Sequence, residues 1–193
     1  MNKNRLEAFS DGVLAIIITI MVLEIKVPHG AAWSDVLAQW HIFVSYFISF
    51  LFVGIYWGNH HHLLHTVKKV SSGILLANLN LLFWLSLMPF ATGWMGETEF
   101  APNAIVLYAI NCVLCGIAYT ILQRIILQCA DPNDKLTIAI RKQKPKVIIS
   151  TVCGLLAIPF AYVNPILSGI CFVVLSGIWL IPDKNIERAI NEE

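Results

Sequence analysis

Six apolar stretches, each close to the length that crosses a bilayer as a helix, leave this chain little choice of fold. A spanning helix needs about 20 apolar residues for roughly 30 Å of hydrocarbon. Inside lipid every backbone N–H and C=O must be bonded within the protein, so only helices or closed barrels cross. The ten-residue polar and apolar alternation of a barrel is missing here, and the residues read as an all-α bundle. Composition agrees: 58% of residues are hydrophobic and 13% charged, against roughly 45–50% and about 25% in a soluble domain. Hydropathy and helix breakers set the expected spans at 6–27, 36–59, 70–95, 102–128, 147–162 and 165–182, within one transmembrane domain covering 1–193. Pro28, His29 and Gly30 close the first span, Pro102 suits the first turn of the fourth, and Val163-Asn164-Pro165 turns the fifth into the sixth. The longest polar segment, Asp131 to Lys146, separates spans four and five.

Lysine and arginine concentrate on one side of this layout. Lys3, Arg5, Lys68, Lys69, Arg124, Lys135, Arg141, Lys142, Lys144, Lys146, Lys184 and Arg188 share a side, and only Lys26 falls on the other. Cytoplasmic loops are enriched in these residues, so both termini are expected in the cytoplasm. The stretch from Thr92 to Asn103 carries Glu97 and Glu99 but no basic residue, which fits an external loop. A formal net charge of +1 without a dense basic tract argues against nucleic acid as a partner. The N-terminus lacks the order of a secretory signal, because Arg5, Glu7 and Asp11 crowd its start and no small-residue cleavage site follows. Cys112, Cys115, Cys153 and Cys171 lie in apolar runs and Cys129 near a helix end, a pattern of packing rather than of disulfides. No Ser-based elbow, HExxH motif or phosphate-binding Gly-rich loop is present, so no catalytic residue is assigned and an enzyme is not expected.

The first span carries the sharpest local signal. Asp11 stands at the mouth of the uncharged run from Val13 to Leu23. An ionised Asp on a spanning helix costs roughly 2.5–3.5 kcal/mol on insertion scales, so it needs partners. At 3.6 residues per turn, Ile16, Thr19, Ile20 and Leu23 form one stripe, extended by Gly12 and Val27. Asp11 points nearly the opposite way, and it is off the i+3 and i+4 neighbours of Arg5. Periodicity alone leaves the stripe open to lipid, to the bundle or to a pore.

Arg5-x-x-x-Phe9-Ser10-Asp11 followed by Gly12-Val13-Leu14-Ala15-Ile16-Ile17-Ile18-Thr19-Ile20 resembles the signature first helix of the transmembrane protein 175 family of potassium channels, in its short prokaryotic form. Trp57-x-x-His60-x-x-Leu63 in the second span, and Asn78 ahead of Pro89 in the third, are similar to the family's spacings. The resemblance implies six transmembrane helices per subunit and no re-entrant pore loop. It further implies a homotetramer of identical subunits around a central pore lined by the first helix, in a prokaryotic plasma membrane, with K+ as the permeant ion and no cofactor. The absence of a TVGYG-like segment fits, since a ring of backbone carbonyls is then unavailable. Carried over by position, Ile16, Ile20 and Leu23 would be the apolar pore constrictions, with Thr19 the polar group beside them. Ser10 and Asp11 would face the subunit's own helices, and Arg5, Phe9, Trp57, His60 and Asn78 would complete a structural and gating network.

His60, His61, His62 and His65 crowd the end of the second span. The expectation is an interfacial helix end with no metal, although His61 and His65 share a helical face and could hold one. A rival function follows from the same residues: a proton- or metal-coupled transporter using Asp11 and the His60–His65 cluster, which would give saturable coupled flux instead of passive current.

Overall fold

The computed structural model describes residues 2–180 and is all helical over them. Five helical segments are long and apolar enough to cross a membrane: Lys3–Leu23, Trp40–His65, Ser72–Glu97, Pro102–Cys129 and Lys135–Val163. The chain is a multi-pass membrane protein. Among the described residues Pro165–Leu180 is an apolar helix of 16 residues, a rise of about 24 Å. Residues 181 and 182 of the expected sixth span, and the basic residues Lys184 and Arg188, lie outside the described residues.

Helix α1 (Lys3–Leu23) starts on Asn2, whose side chain accepts from the Asn4 N–H. A five-residue helix α2 (Trp33–Leu37) leads into α3 (Trp40–His65), which begins later than the expected 36 and runs on past 59 to take in the whole histidine cluster. The third apolar stretch is two helices, α4 (Ser72–Ser86) and α5 (Met88–Glu97), broken at Leu87. Pro89 explains the break: it has no N–H to give, and its ring crowds the carbonyl one turn back. Because α5 continues to Glu97, the expected external loop from Thr92 shrinks to the turn of residues 98–101.

Helix α6 (Pro102–Cys129) forms the axis of the bundle and packs on α4, α5 and α8. Its buried side is built from small and aromatic residues, including Ala104, Tyr108, Ala109, Ala118 and Tyr119, and from the free thiols Cys112 and Cys115. The long polar segment after it contains a further helix, α7 (Lys135–Arg141), capped by Asp134. Leu136, Ala139 and Ile140, spaced i, i+3 and i+4, turn inward and are buried, which is why this basic stretch is not a loop. Helices α8 (Lys144–Val163) and α9 (Pro165–Leu180) form an antiparallel pair across Asn164, whose side chain accepts from the Ile166 N–H at 2.9 Å.

Polar contacts sort the bundle into two ends. At one, the Lys3 ammonium donates to the His65 carbonyl at 3.2 Å, and Arg141 donates to the Leu127 carbonyl at 3.2 Å. At the other, Lys26 pairs with Glu97, and Tyr162 bonds Asn103 at 2.9 Å. There His41 donates from Nδ1 to the Gly96 carbonyl at 2.6 Å. Gly96 suits the close approach at that crossing, because a Cβ on it would stand 3.1 Å from the Ile42 Cα of α3.

Candidate functional site

The inner side of α1 is made by Leu6, Ser10, Leu14, Ile17 and Met21, all buried against α3, α4 and α5. Two polar ties fix this rotation. The Ser10 hydroxyl donates to the Leu6 carbonyl one turn back at 2.8 Å and accepts from Asn78 Nδ2 at 2.9 Å. Asn78 Oδ1 in turn lies 2.7 Å from His60 Nε2. Since that amide oxygen can only accept, His60 carries its proton on Nε2. Ser10, Asn78 and His60 are fully enclosed, so the chain of bonds joins α1, α4 and α3 in the interior.

The second tie runs along the boundary between α1 and α3. Trp57 Nε1–H donates to Asp11 Oδ1 at 3.1 Å. One turn toward the chain start on α1 and one turn onward on α3, Glu7 Oε1 lies 3.0 Å from His61 Nδ1. A further turn brings the Lys3 ammonium to the His65 carbonyl. These rungs are what an antiparallel pair must give once Asp11 and Trp57 are matched, because i±4 positions share a face on each helix. Glu7 was not a sequence candidate. The signal for it was its i, i+4 relation to Asp11, set against that of His61 to Trp57, readable only once those two rungs are paired.

Turned away from the bundle stand Ile16 (58% exposed), Ile20 (41%) and Leu23 (77%), with Thr19 also exposed. The Thr19 hydroxyl gives its proton to the Ile16 carbonyl at 2.9 Å, so its oxygen keeps lone pairs free on that face. Arg5 and Phe9 are not gathered into the Ser10 and Asp11 ties. Both are exposed, and the spacing Arg5, Phe9, Gly12, Ile16, Ile20, Leu23 puts them on the outer stripe. Helical geometry separates them from a network that the motif, read linearly, suggests they share.

A second buried polar layer was not foreseen. Ser49 of α3, Thr92 of α5 and Tyr108 of α6 link their hydroxyls, with Ser49 to Tyr108 at 3.0 Å and Thr92 to Ser49 at 2.7 Å. Isolated hydroxyls in apolar runs give little sequence signal, since each can bond its own helix backbone one turn back, as Thr92 does to Met88 at 2.7 Å. Such ties act as interhelical glue worth about 0.6–2 kcal/mol each.

An all-helical, multi-pass bundle whose first helix is pinned on its polar side and bare on its apolar side defines an integral membrane protein. The family model for Endosomal/lysosomal potassium channel TMEM175 matches residues 5–89. A protein of Chryseobacterium sp. (strain P1-3) named as a potassium channel is 52% identical over 192 residues, covering 100% of both chains. The crystal structure of a lysosomal potassium-selective channel TMEM175 homolog from Chamaesiphon minutus superposes with a TM-score of 0.78 at 29% identity, covering 92% of this chain and 96% of that one. A Gallus gallus protein named Endosomal/lysosomal proton channel TMEM175 is 32% identical over 127 residues, which are 59% of this chain and 25% of that protein. The chain belongs to the TMEM175 family, a family of ion channels and not of enzymes.

Proposed function

We propose that the chain is one subunit of a homotetrameric channel that passes K+ passively through a central pore lined by α1. Ile16, Ile20 and Leu23 form its apolar constriction, and Thr19 supplies the polar ring beside them. The observation that carries this reading is the division of α1: its polar residues are tied inward to α3 and α4, while its uncharged stripe is bare in the single chain. Four such stripes around a symmetry axis would cover one another and enclose a path that one subunit this small cannot. The names of the bacterial relative and the superposed structure support K+ as the ion. An apolar ring offers no ligands, so a passing cation must loosen its hydration shell, and Na+ holds that shell more tightly than K+. Both termini are assigned to the cytoplasm of a prokaryotic plasma membrane, from the side on which Lys3, Lys68, Lys69 and Arg141 gather.

The name of the animal relative favours one addition, proton passage by the same route. Liposomes holding purified protein, with K+ inside, Na+ outside and a pH-sensitive dye in the lumen, test both. Current reversing near the K+ equilibrium potential is expected, whereas verified, folded oligomer that passes no cation would sink the channel reading. A lumen that acidifies or alkalinises only when K+ can move by a separate ionophore would assign the flux to protons.

Ser10, Asp11, Trp57, His60 and Asn78 hold the pore helix in register and do not coordinate the ion. Asp11→Ala strands the Trp57 N–H at a helix boundary, so it is expected to reduce the yield of tetramer on size exclusion severalfold. The surviving tetramer should keep its K+/Na+ permeability ratio. Asp11→Asn retains an acceptor oxygen for Trp57 and should restore assembly.

A further inference from the structure

Within the α1–α3 boundary, one cluster has chemistry that the channel reading does not use. Glu7 of α1 and His61 and His65 of α3 each present a ligand atom, and the three atoms lie within 4.8 Å of one another. His61 and His65 approach through their Nε2 atoms at 3.3 Å. Two imidazole nitrogens bound to one tetrahedral zinc at about 2.0–2.1 Å are separated by about 3.3–3.4 Å. The ring nitrogens therefore already stand at the edge length of a metal tetrahedron.

The rest of the surroundings suits a metal of the zinc class. Glu7 Oε1, at 3.0 Å, accepts from His61 Nδ1–H, which leaves the Nε2 lone pair of His61 turned to His65, whose Nε2–H it accepts until a cation takes that proton's place. A carboxylate behind an imidazole is the usual device that fixes the tautomer of a metal-bound histidine. The Trp57 ring stacks beside His61 at 6.5 Å and 28°, restricting its rotation. The Lys3 ammonium donates to the His65 backbone carbonyl and not to its ring. His61 and Glu7 are half-buried and His65 is exposed, so a cation can enter from the aqueous end.

The geometry points to a divalent transition-metal site in which His61 Nε2 and His65 Nε2 are the ligands, Glu7 orients His61, and water completes the shell. Because Glu7 belongs to α1 and both histidines to α3, an occupied site clamps the start of α1 against α3. Binding itself stands whether or not α1 lines a pore.

The test is metal binding by the purified full-length protein in detergent, read without any flux measurement. Co2+ titration followed by visible absorption is expected to saturate at one ion per chain, and Zn2+ should displace it, as the Irving–Williams order requires. His65→Ala, at an exposed position that folding does not need, should abolish the Co2+ bands, as should His61→Ala. Glu7→Gln, which keeps the shape of the side chain, should weaken binding by about 10–100-fold. His29→Ala, at the far end of the bundle, should change nothing. Wild-type protein that takes up no Co2+, or uptake that survives His65→Ala, would overturn the site.

Discussion

Replacing Asn78 with leucine should lower the thermal stability of the detergent-solubilised protein more than any other single polar substitution in the interior. Asn78 is fully buried and links Ser10 of α1 to His60 of α3. Leucine of similar size leaves His60 Nε2–H without an acceptor and removes the donor from Ser10 Oγ. An orphaned buried group costs about 1–3 kcal/mol in water-soluble proteins. In membranes a lost interhelical bond averages about 0.6 kcal/mol and reaches about 1.7, because the separated helices find other partners. With two bonds lost at an enclosed site, roughly 1–3 kcal/mol is expected, measured as the loss of folded protein on heating. His60 already has a buried Nδ1 with no partner, so it has no second bond to fall back on. Protein that stays folded should keep its K+/Na+ ratio. A changed ratio with unchanged stability would move Asn78 from the support of the pore helix to the ion path.

The chain illustrates which parts of a membrane fold can be read linearly. Apolar runs such as Gly12–Leu23 and Ala104–Leu122 are legible because lipid forces each crossing to close its hydrogen bonds within one helix. The stripe of Ile16, Thr19, Ile20 and Leu23 is legible for the same reason, since helical period alone decides which residues share a side. Pairing is another matter. Asp11 and Trp57 are 46 residues apart and Ser10 and Asn78 are 68 apart, so their matching depends on how whole helices dock. The motif names the members of that network without their bonds, and it also groups Arg5 and Phe9 with residues from which the helix then separates them. The buried face of α7 is hard to read linearly because Leu136, Ala139 and Ile140 are flanked by Lys135, Arg141 and Lys142 inside a polar segment.

The largest functional change is expected from Ile16→Asn and Ile20→Asn, taken singly. Both positions are bare in the single chain, so neither substitution opens a cavity in the subunit core or strands a buried partner. Folding should survive, and any change in flux can be read as a change in the path. Within the stripe of Ile16, Thr19, Ile20 and Leu23 the side-chain oxygen is that of Thr19, held in place by its bond to the Ile16 carbonyl. An asparagine carboxamide adds an oxygen that can stand in for a lost water. This lowers the barrier more for the ion that gives up water less readily, Na+. A differential of about 0.7–1.4 kcal/mol corresponds to roughly a threefold to tenfold fall in the K+/Na+ permeability ratio. A polar ring also wets the constriction, so total current should rise if the apolar ring closes the path by dewetting. Reversal potentials under bi-ionic K+ and Na+ measure the first effect and current at fixed protein density the second. An unchanged ratio in both variants, with intact tetramer, would place the stripe against lipid and return the search for the pore to another helix.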